Sequence, residues 1–235
     1  MSAITGLDYI IINGVSSDTV GLYIDTPPMP PMQAQNFQTV SIPNRPEELT
    51  LRQITRQDIQ VSITAYLFRD DDSSNPADIY AYLDGAKTLQ TSKNEDFEYR
   101  VTRFLGVTPT YQGHGKQLLT LSFMCAPYRY AVENDAIEIT GQSTIITVGG
   151  SVFCQPVYKL YGSGNLELTV NEDTANKLTI ADTDGYVIAD GEKLICHKDG
   201  TFIRFGGKIP FLGVGDNLIE TNATKIEIVK NERWL

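Results

Sequence analysis

Hydrophobic and polar residues alternate along most of this chain, a pattern that predicts short β-strands separated by turns. An apolar run from Leu7 to Ile12 leads into Asn13-Gly14, a dipeptide typical of tight hairpins, and the apolar pattern resumes from Val20 to Ile24. Alternation is clear again from Leu49 to Phe68, where every second side chain falls on one face. The first part of the chain is therefore predicted to consist mainly of strands.

One segment follows the helical period instead. Asn75-Pro76 supplies a helix cap with proline at the first helical position. Apolar residues then recur at helical spacing, at Ile79, Leu83, Ala86 and Leu89 or Gln90. The only helix of the chain is predicted here, over residues 75–90 or thereabouts.

A proline-rich stretch from Thr26 to Pro46 interrupts the strand pattern. Because each proline removes a backbone donor and fixes φ, this stretch is predicted to be a long, semi-rigid loop with at most a short strand from Phe37 to Ile42. Loops of this length in compact domains usually have a function. The alternative is a connection that packs on the protein's own surface and has no partner.

Two further strands, Phe97–Val107 and Lys116–Met124, complete the first part of the chain. A polar turn follows them, so we place a domain boundary there, between a domain of residues 1–135 and a domain of residues 136–235. The second domain shows no helical period. Strands then recur at the spacing of a β-sandwich, with turns expected at Gly-rich and Asp-Gly sites. These turn sites include Gly162-Ser163-Gly164, Asp184-Gly185, Asp190-Gly191, Asp199-Gly200 and Gly213-Val214-Gly215.

The charge balance argues against tight nucleic-acid binding. The 19 Lys and Arg residues and 29 Asp and Glu residues leave a formal net charge of -10. Such a surface has no excess of cations with which to displace the counterions of a phosphate backbone. No apolar window is long enough to predict a membrane-spanning segment.

Residues able to carry catalysis are scarce. Cys125, Cys154 and Cys196 lie in apolar contexts and are predicted to be small core residues. The two histidines, His114 and His197, lie in turn-like settings without a nucleophile elbow or clustered ligands, so both are expected to be exposed to solvent. We predict no catalytic residue, no bound cofactor and no metal site, and therefore no enzyme.

Seven short motifs of the chain stand out when they are taken in order. They are Ile10 to Gly14, Ile42-Pro43-Asn44-Arg45, Tyr82-Leu83, Phe123 to Tyr130, Tyr161 to Val170, Pro210-Phe211-Leu212 and Gly215 to Ile219. In this order they resemble the motifs of the distal tail protein (Dit) family of long-tailed siphophages, and the resemblance covers nearly the full length. It departs from the family pattern in the proline-rich loop, where Asn44 stands in place of a glycine and Pro46 follows the arginine.

The resemblance implies a mainly β structural protein of the virion. It implies an N-terminal β-sandwich with a helix and a hairpin that assembles into a hexameric ring, and a galectin-like C-terminal β-sandwich. The ring would act as the baseplate hub at the tail tip, assembled in the host cytoplasm, joining the tail tube protein to a tail-associated lysin or fibre and to receptor-binding proteins. DNA would pass through its channel without specific binding. On this view, the candidate contacts between subunits or with partners are Asn36, Phe37, Ile42, Pro43 and Arg45.

Two other functions remain open from the sequence. The sandwich of residues 136–235 is compatible with a carbohydrate-binding, lectin-like module that attaches to the host cell wall, although its strands contain no tryptophan for a sugar to stack on. The sole tryptophan, Trp234, is expected to anchor the last strand. A cell-wall hydrolase is the weaker alternative, because no pair of carboxylates stands out.

Overall fold

A computed structural model provides the structure of the protein and describes residues 8–28, 35–43, 46–68, 76–111 and 116–235. The chain forms two compact units, Met1–Arg129 (unit 1) and Tyr130–Leu235 (unit 2). The predicted fold class, mainly β with one α-helix, is confirmed for the described residues. Within those residues, no helix is long and apolar enough to cross a membrane.

Unit 1 contains β1 (Ile10–Ile12), β2 (Val15–Ser16), a 3₁₀ turn (Ser17–Val20), β3 (Leu22–Ile24), β4 (Gln35–Val40), β5 (Leu49–Arg56), β6 (Ile59–Phe68), α1 (Pro76–Asp84), β7 (Thr88–Thr91), β8 (Asn94–Tyr111) and β9 (Lys116–Ala131). Seven of these strands form a curled antiparallel sheet with the order β2-β1-β7-β8-β9-β6-β3. A bridge between Asp8, just before β1, and Ile24 of the far edge strand shows that the sheet bends round on itself.

The predicted turn at Asn13-Gly14 is present, with φ of 52° at Asn13 and 79° at Gly14. These positive angles are those of a two-residue hairpin turn. The strand that follows the turn is only the short β2. The expected return segment, Val20 to Ile24, contains β3, which instead pairs with β6 across the sheet. The 3₁₀ turn between β2 and β3 redirects the chain and accounts for this difference.

The predicted helix is present but ends at Asp84 rather than near residue 90. Gly85 follows it, and the Ala86 N–H donates to the Leu83 carbonyl over 3.2 Å, which closes the last turn. The Asn13 side chain then accepts hydrogen bonds from the backbone N–H groups of Lys87 and Thr88. These contacts start β7, so Leu89 and Gln90 lie in a strand although their spacing continues the helical period.

Strand β9 continues past the expected end at Met124 and includes Pro127. The proline is tolerated because the ladder between β9 and β6 stops earlier, at the pair Cys125 and Ile59. The core of unit 1 lies beneath the curled sheet and α1. Its buried residues include Ile12, Leu22, Ile63, Leu83, Leu89, Leu121 and Phe123.

Unit 2 consists of two layers that share one long strand pair. The strands are β10 (Ile137–Ile139), β11 (Ser143–Val148), β12 (Val157–Val170), β13 (Lys177–Asp190), β14 (Ile195–Lys198), β15 (Thr201–Ile203), β16 (Phe205–Gly207), β17 (Gly215–Thr221), β18 (Lys225–Val229) and β19 (Arg233–Trp234). One layer has the order β10-β18-β12-β13-β14-β15. In the other layer, β17 pairs with the C-terminal end of β12 and β11 pairs with β17. Strand β16 completes this layer by pairing with the N-terminal end of β13.

Two predicted turns of unit 2 are wrong. Gly162-Ser163-Gly164 lies inside β12 and Asp184-Gly185 inside β13, where Gly162 pairs with Gly185 and Ser163 with Asp184. A register shift between Gly164 and Leu166 bends the pair, so these glycines serve a bulge and not a hairpin. The turn at Asp199-Gly200 is confirmed, since it joins the antiparallel neighbours β14 and β15.

The bend in the β12–β13 pair allows both layers to contribute to one core. Tyr158 is its largest fully buried side chain, and its hydroxyl donates to the Pro210 carbonyl over 3.1 Å. The other buried apolar residues come from both layers, including Leu160, Leu168, Val187, Ile219 and Ile226.

Candidate functional site

The β4–β5 hairpin is the part of unit 1 that corresponds to the predicted functional loop. Its strands pair only with each other among the described strands and belong to neither larger sheet. The proline-rich segment thus contains a strand of the expected length that begins two residues earlier than predicted, Gln35–Val40, and it pairs with the start of the segment that alternates from Leu49. An isolated two-stranded hairpin has little stability alone in water, so an apolar contact on one of its faces would stabilise it.

One face of this hairpin is apolar. Directly opposed residues share a face, and the pairs Gln38 with Leu51 and Val40 with Leu49 place three aliphatic side chains side by side. Val40 is 37% exposed and Leu51 45% exposed. We call Val40, Leu49 and Leu51 the hairpin's apolar face.

The structure places four of the five predicted contact residues on this hairpin. Asn36 and Phe37 lie in β4, and Ile42 and Pro43 lie in the connection to β5, whereas Arg45 lies outside the described residues. Phe37 is on the opposite face from Leu51 and is 55% exposed, and Ile42 is 39% exposed. Sequence reasoning missed Leu49 and Leu51 because their alternation runs directly into that of β6.

A shallow apolar groove lies beside α1 in the same unit. Tyr80, Ala81 and Asp84 of the helix line it on one side, and Phe104 and Val107 of β8 on the other, around a volume of about 430 Å³. Tyr80 is 48% exposed at its rim. The groove is open and has one carboxylate, which suits a packed protein surface better than a small polar ligand.

The exposed face of the first layer of unit 2 carries a row of polar and aromatic residues across six strands. Cross-strand pairing aligns Glu138, Glu227, Lys159, Ile188, His197 and Phe202 in that order. The neighbouring row contains Lys225, Tyr161 and Tyr186. Phe202 ends the first row and is 74% exposed.

The polar groups of this face bind one another. Tyr161 donates from its hydroxyl to Glu227 over 3.0 Å, and Tyr186 donates to Asp199. The hydrogen bond to Asp199 raises the pKa of the Tyr186 hydroxyl, and the hydrogen bond from Lys225 lowers the pKa of Glu227. The face is therefore an internally paired network.

Lysines cover the two tyrosine rings. Lys159 Nζ lies 4.9 Å from the ring centroid of Tyr161 and 5.1 Å from that of Tyr186, and Lys198 Nζ lies 5.5 Å from the latter. These are cation–π distances. A sugar that stacked on either ring would have to displace a lysine.

Unit 2 contains a cleft of about 650 Å³, which lies where β15 passes into β16. Asn165, Glu167, Asp182 and Arg204 contribute its polar groups, and Leu166 and Phe205 are among its apolar ones. The charged groups of this cleft are of both signs. The described contacts identify no single point at which these groups converge.

The cysteines are buried as predicted, and burial raises the pKa of the Cys125 thiol to about 12, of Cys154 to about 11 and of Cys196 to about 12. Such thiols are inert. His197 is half-buried in β14 and not fully exposed, since cross-strand pairing holds it between Ile188 and Phe202. His114 lies outside the described residues. The described residues hold no cluster of His, Cys, Asp or Glu suited to a metal ion.

Comparison with known proteins identifies the fold. No protein-family profile matches the chain, and no curated protein matches its sequence. Among solved structures, it is similar to the crystal structure of the Dit protein of phage SPP1, described as a paradigm of the hub adsorption apparatus in phages that infect Gram-positive bacteria. The TM-score is 0.70 at 11% sequence identity, over 97% of this chain and 100% of the other. The resemblance to distal tail proteins is confirmed at the level of the fold.

Proposed function

We propose that this protein is a structural component of a phage tail tip, a hub whose copies form a ring. The observation that carries the proposal is the match in fold to a hub protein over nearly the whole of both chains. A partial match would support only a shared domain. Because similarity of fold does not by itself establish function, the surfaces of unit 1 provide the second line of support.

The hairpin's apolar face and the α1 groove are the two surfaces through which neighbouring copies would meet. A ring requires a heterologous contact, in which one patch of each subunit binds a different patch of the next. Leu51 and Val40 are exposed on a hairpin that belongs to neither larger sheet, and Phe104 and Val107 line an apolar recess. We propose that the hairpin of one copy covers the groove of its neighbour, with Phe37, Ile42 and Arg45 contributing to the same contact.

The ring would be hexameric and would join a tail tube protein to a tail-associated lysin or fibre and to receptor-binding proteins. With a net charge of -10, the chain offers DNA no general attraction, so DNA would pass through the channel without binding. The site of action is the virion, after assembly in the host cytoplasm. The division into a ring-forming domain of residues 1–135 and a galectin-like domain of residues 136–235 belongs to the same proposal, as does the absence of a catalytic step.

Mass photometry and negative-stain electron microscopy test the ring. The wild-type protein is expected to form particles of about six times the 26.0 kDa chain mass, with an open centre. Leu51→Asp places a charge on the hairpin's apolar face and should abolish these particles. Leu194→Asp is the matched control, because it makes the same change at an exposed leucine of unit 2, outside the proposed contact, so its particles should persist. A wild-type protein that stays monomeric at every concentration, alone and with a tail tube protein, would contradict the proposal.

Sugar binding by unit 2 is the second candidate function. In its favour is the half-buried aromatic pair Tyr161 and Tyr186, whose ring centroids lie 6.1 Å apart. Against it, lysines cover both rings. Retention of the full-length protein on purified host cell walls, lost in Tyr161→Ala and Tyr186→Ala, would support sugar binding. A hub protein without this activity would show no such loss.

A further inference from the structure

Strand β11 forms an unprotected edge of unit 2. It pairs only with β17, so no described strand pairs along its other side. Its sequence, Ser143 to Val148, contains only Ser, Thr, Ile and Val, with no charge, glycine or proline. Natural edge strands usually carry charged residues or proline, which prevent pairing with another chain.

The hydrogen bonds of β17 show which backbone groups of β11 face outward. The Leu218 carbonyl accepts from the Asn171 N–H over 2.8 Å, so Leu218 directs its backbone groups away from β11. Since these directions alternate along an antiparallel strand, Ile219 directs its groups toward β11 and bonds its partner Thr144. The backbone groups of Ser143, Ile145 and Thr147 therefore point to the open side.

One end of this edge is covered and the other is not. Lys230 Nζ donates to the Thr147 carbonyl over 3.1 Å, and Glu232 accepts from the Gly149 N–H over 3.0 Å. These side chains cap the C-terminal end of the edge. At the other end, Ile145 is 64% exposed, and no contact in the described part of the chain covers its N–H or carbonyl.

Lys230 and Glu232 pair with each other at the capped end of the edge, and the remaining charges beside it favour a basic occupant. Ser143 is paired with Glu220, and Thr147 with Asp216, so two carboxylates flank the Ile145–Leu218 pair on the same exposed face. Another copy of this chain would bring its own pair of carboxylates and a net charge of -10 to the edge. An extended segment with an apolar residue opposite Ile145 and lysine or arginine two positions on either side would instead complement it.

We propose that β11 is a docking edge for an extended, basic segment of a partner protein, which adds to unit 2 as an antiparallel strand centred on Ile145. The added residue opposite Ile145 exchanges both backbone hydrogen bonds with it, and its side chain packs on Ile145. The flanking basic side chains reach past Ser143 and Thr147 to Glu220 and Asp216. This inference does not depend on ring formation.

The probe is the capped peptide Lys-Thr-Val-Thr-Lys with a fluorophore on a glycine linker, titrated with the full-length protein in fluorescence anisotropy. We expect saturable binding that weakens as salt is raised. The same peptide with an N-methylated valine, which lacks the central donor, should bind at least 10-fold more weakly, as should Glu-Thr-Val-Thr-Glu. Equal binding of the N-methylated peptide, or no binding of the first peptide, would overturn the proposal.

Variants of the protein locate the site. Ile145→Pro removes only an outward N–H, so the ladder to β17 is kept, and peptide affinity should fall at least 10-fold. Ile145→Lys keeps the backbone donor and acceptor but places a positive charge against the basic peptide, so it should also weaken binding. It replaces the proline variant in the test if that variant does not fold. Glu220→Lys should weaken binding, whereas Asp96→Lys, the same change of charge on an exposed residue of unit 1, should not. Unchanged peptide binding by Ile145→Lys would overturn the assignment of the site to β11. A wild-type dimer that Ile145→Pro converts to monomers would show that the occupant of the edge is a second copy of this chain, and would overturn the proposed occupant.

Discussion

The side-chain amide of Asn13 donates a hydrogen bond to the main-chain carbonyl of Gly85, with 2.7 Å between nitrogen and oxygen. A residue of the first hairpin turn thereby binds the glycine that follows α1. The Asn13 carbonyl oxygen of the same side chain accepts from Lys87 over 2.8 Å. The turn and the end of the helix are thus joined by one side chain.

Replacing Asn13 should lower the free energy of unfolding. Asn13→Gly keeps the positive φ of the turn but removes the hydrogen bonds, which should cost about 1–2 kcal/mol for this partly exposed group. Asn13→Ala adds the strain of a left-handed alanine, roughly 1 kcal/mol more. Urea denaturation followed by circular dichroism measures both. If the two variants were as stable as the wild type, the side chain would not be what ends the helix.

Two glycines of unit 2 should differ sharply in their tolerance of alanine. Gly207 and Gly200 both have positive φ, of 74° and 80°. A Cβ on Gly207 would lie 2.2 Å from the Lys177 carbonyl oxygen, whereas none of the described atoms lies within 4 Å of one on Gly200. Gly200→Ala should cost about 1 kcal/mol from backbone strain alone, and Gly207→Ala about 2–4 kcal/mol because backbone must also move. Equal thermal shifts would contradict this.

Acidification should remove the stabilising contribution of one buried carboxylate. Burial acts to raise the pKa of Asp190, but the hydrogen bonds from Lys193 and from the Glu192 N–H outweigh it, and the pKa is lowered. A lowered folded pKa stabilises the protein above the unfolded value of about 4, and this stability is lost as the pH falls below it. Asp190→Asn should therefore unfold more easily at pH 7 and show a flatter dependence below pH 4. Asp135→Asn, the same change on an exposed residue, is the matched control.

The three thiols should resist modification in the native protein. Burial raises their pKa values to between about 11 and about 12, so at pH 8 very little thiolate is present and the sulfur is shielded. Ellman's reagent should label none of them within minutes in buffer and all three in 6 M guanidinium, roughly the concentration that unfolds stable domains. Rapid labelling in buffer would show that a core opens locally.

A chain truncated after residue 135 should still fold and form rings. The cut leaves β9 complete, since this strand ends at Ala131, and it keeps the hairpin's apolar face and the α1 groove. Circular dichroism tests whether the truncated protein folds, and mass photometry tests whether it forms rings. Monomers from the truncated chain, with rings from the full chain, would assign assembly to the second half instead.

Local rules predicted the elements whose causes are local. The positive φ at Asn13-Gly14 and the hairpin at Asp199-Gly200 follow from residue type alone. The mainly β class follows from the alternation, and the core cysteines from their apolar neighbours. The candidate site was found through its prolines, which mark the segment but not the strand register.

The errors share one physical origin, in that distant residues decided the outcome. Leu89 has helical spacing, but Asn13, far away in the sequence, stops the helix before it. Gly162 and Gly185 have the composition of turns, but each is held in a strand by the other. Leu51 contacts Gln38 across the hairpin, and only the pairing register reveals which face it shares.

The long pairing of β12 with β13 has a mechanical consequence. Backbone hydrogen bonds run perpendicular to antiparallel strands, so a pull along β12 would load the bonds of each paired stretch, Val157 to Gly164 and Leu166 to Thr169, together and would not open them one at a time. The same strand also bonds β18 at one end and β17 at the other. Tension applied along this strand would therefore be resisted by both layers at once.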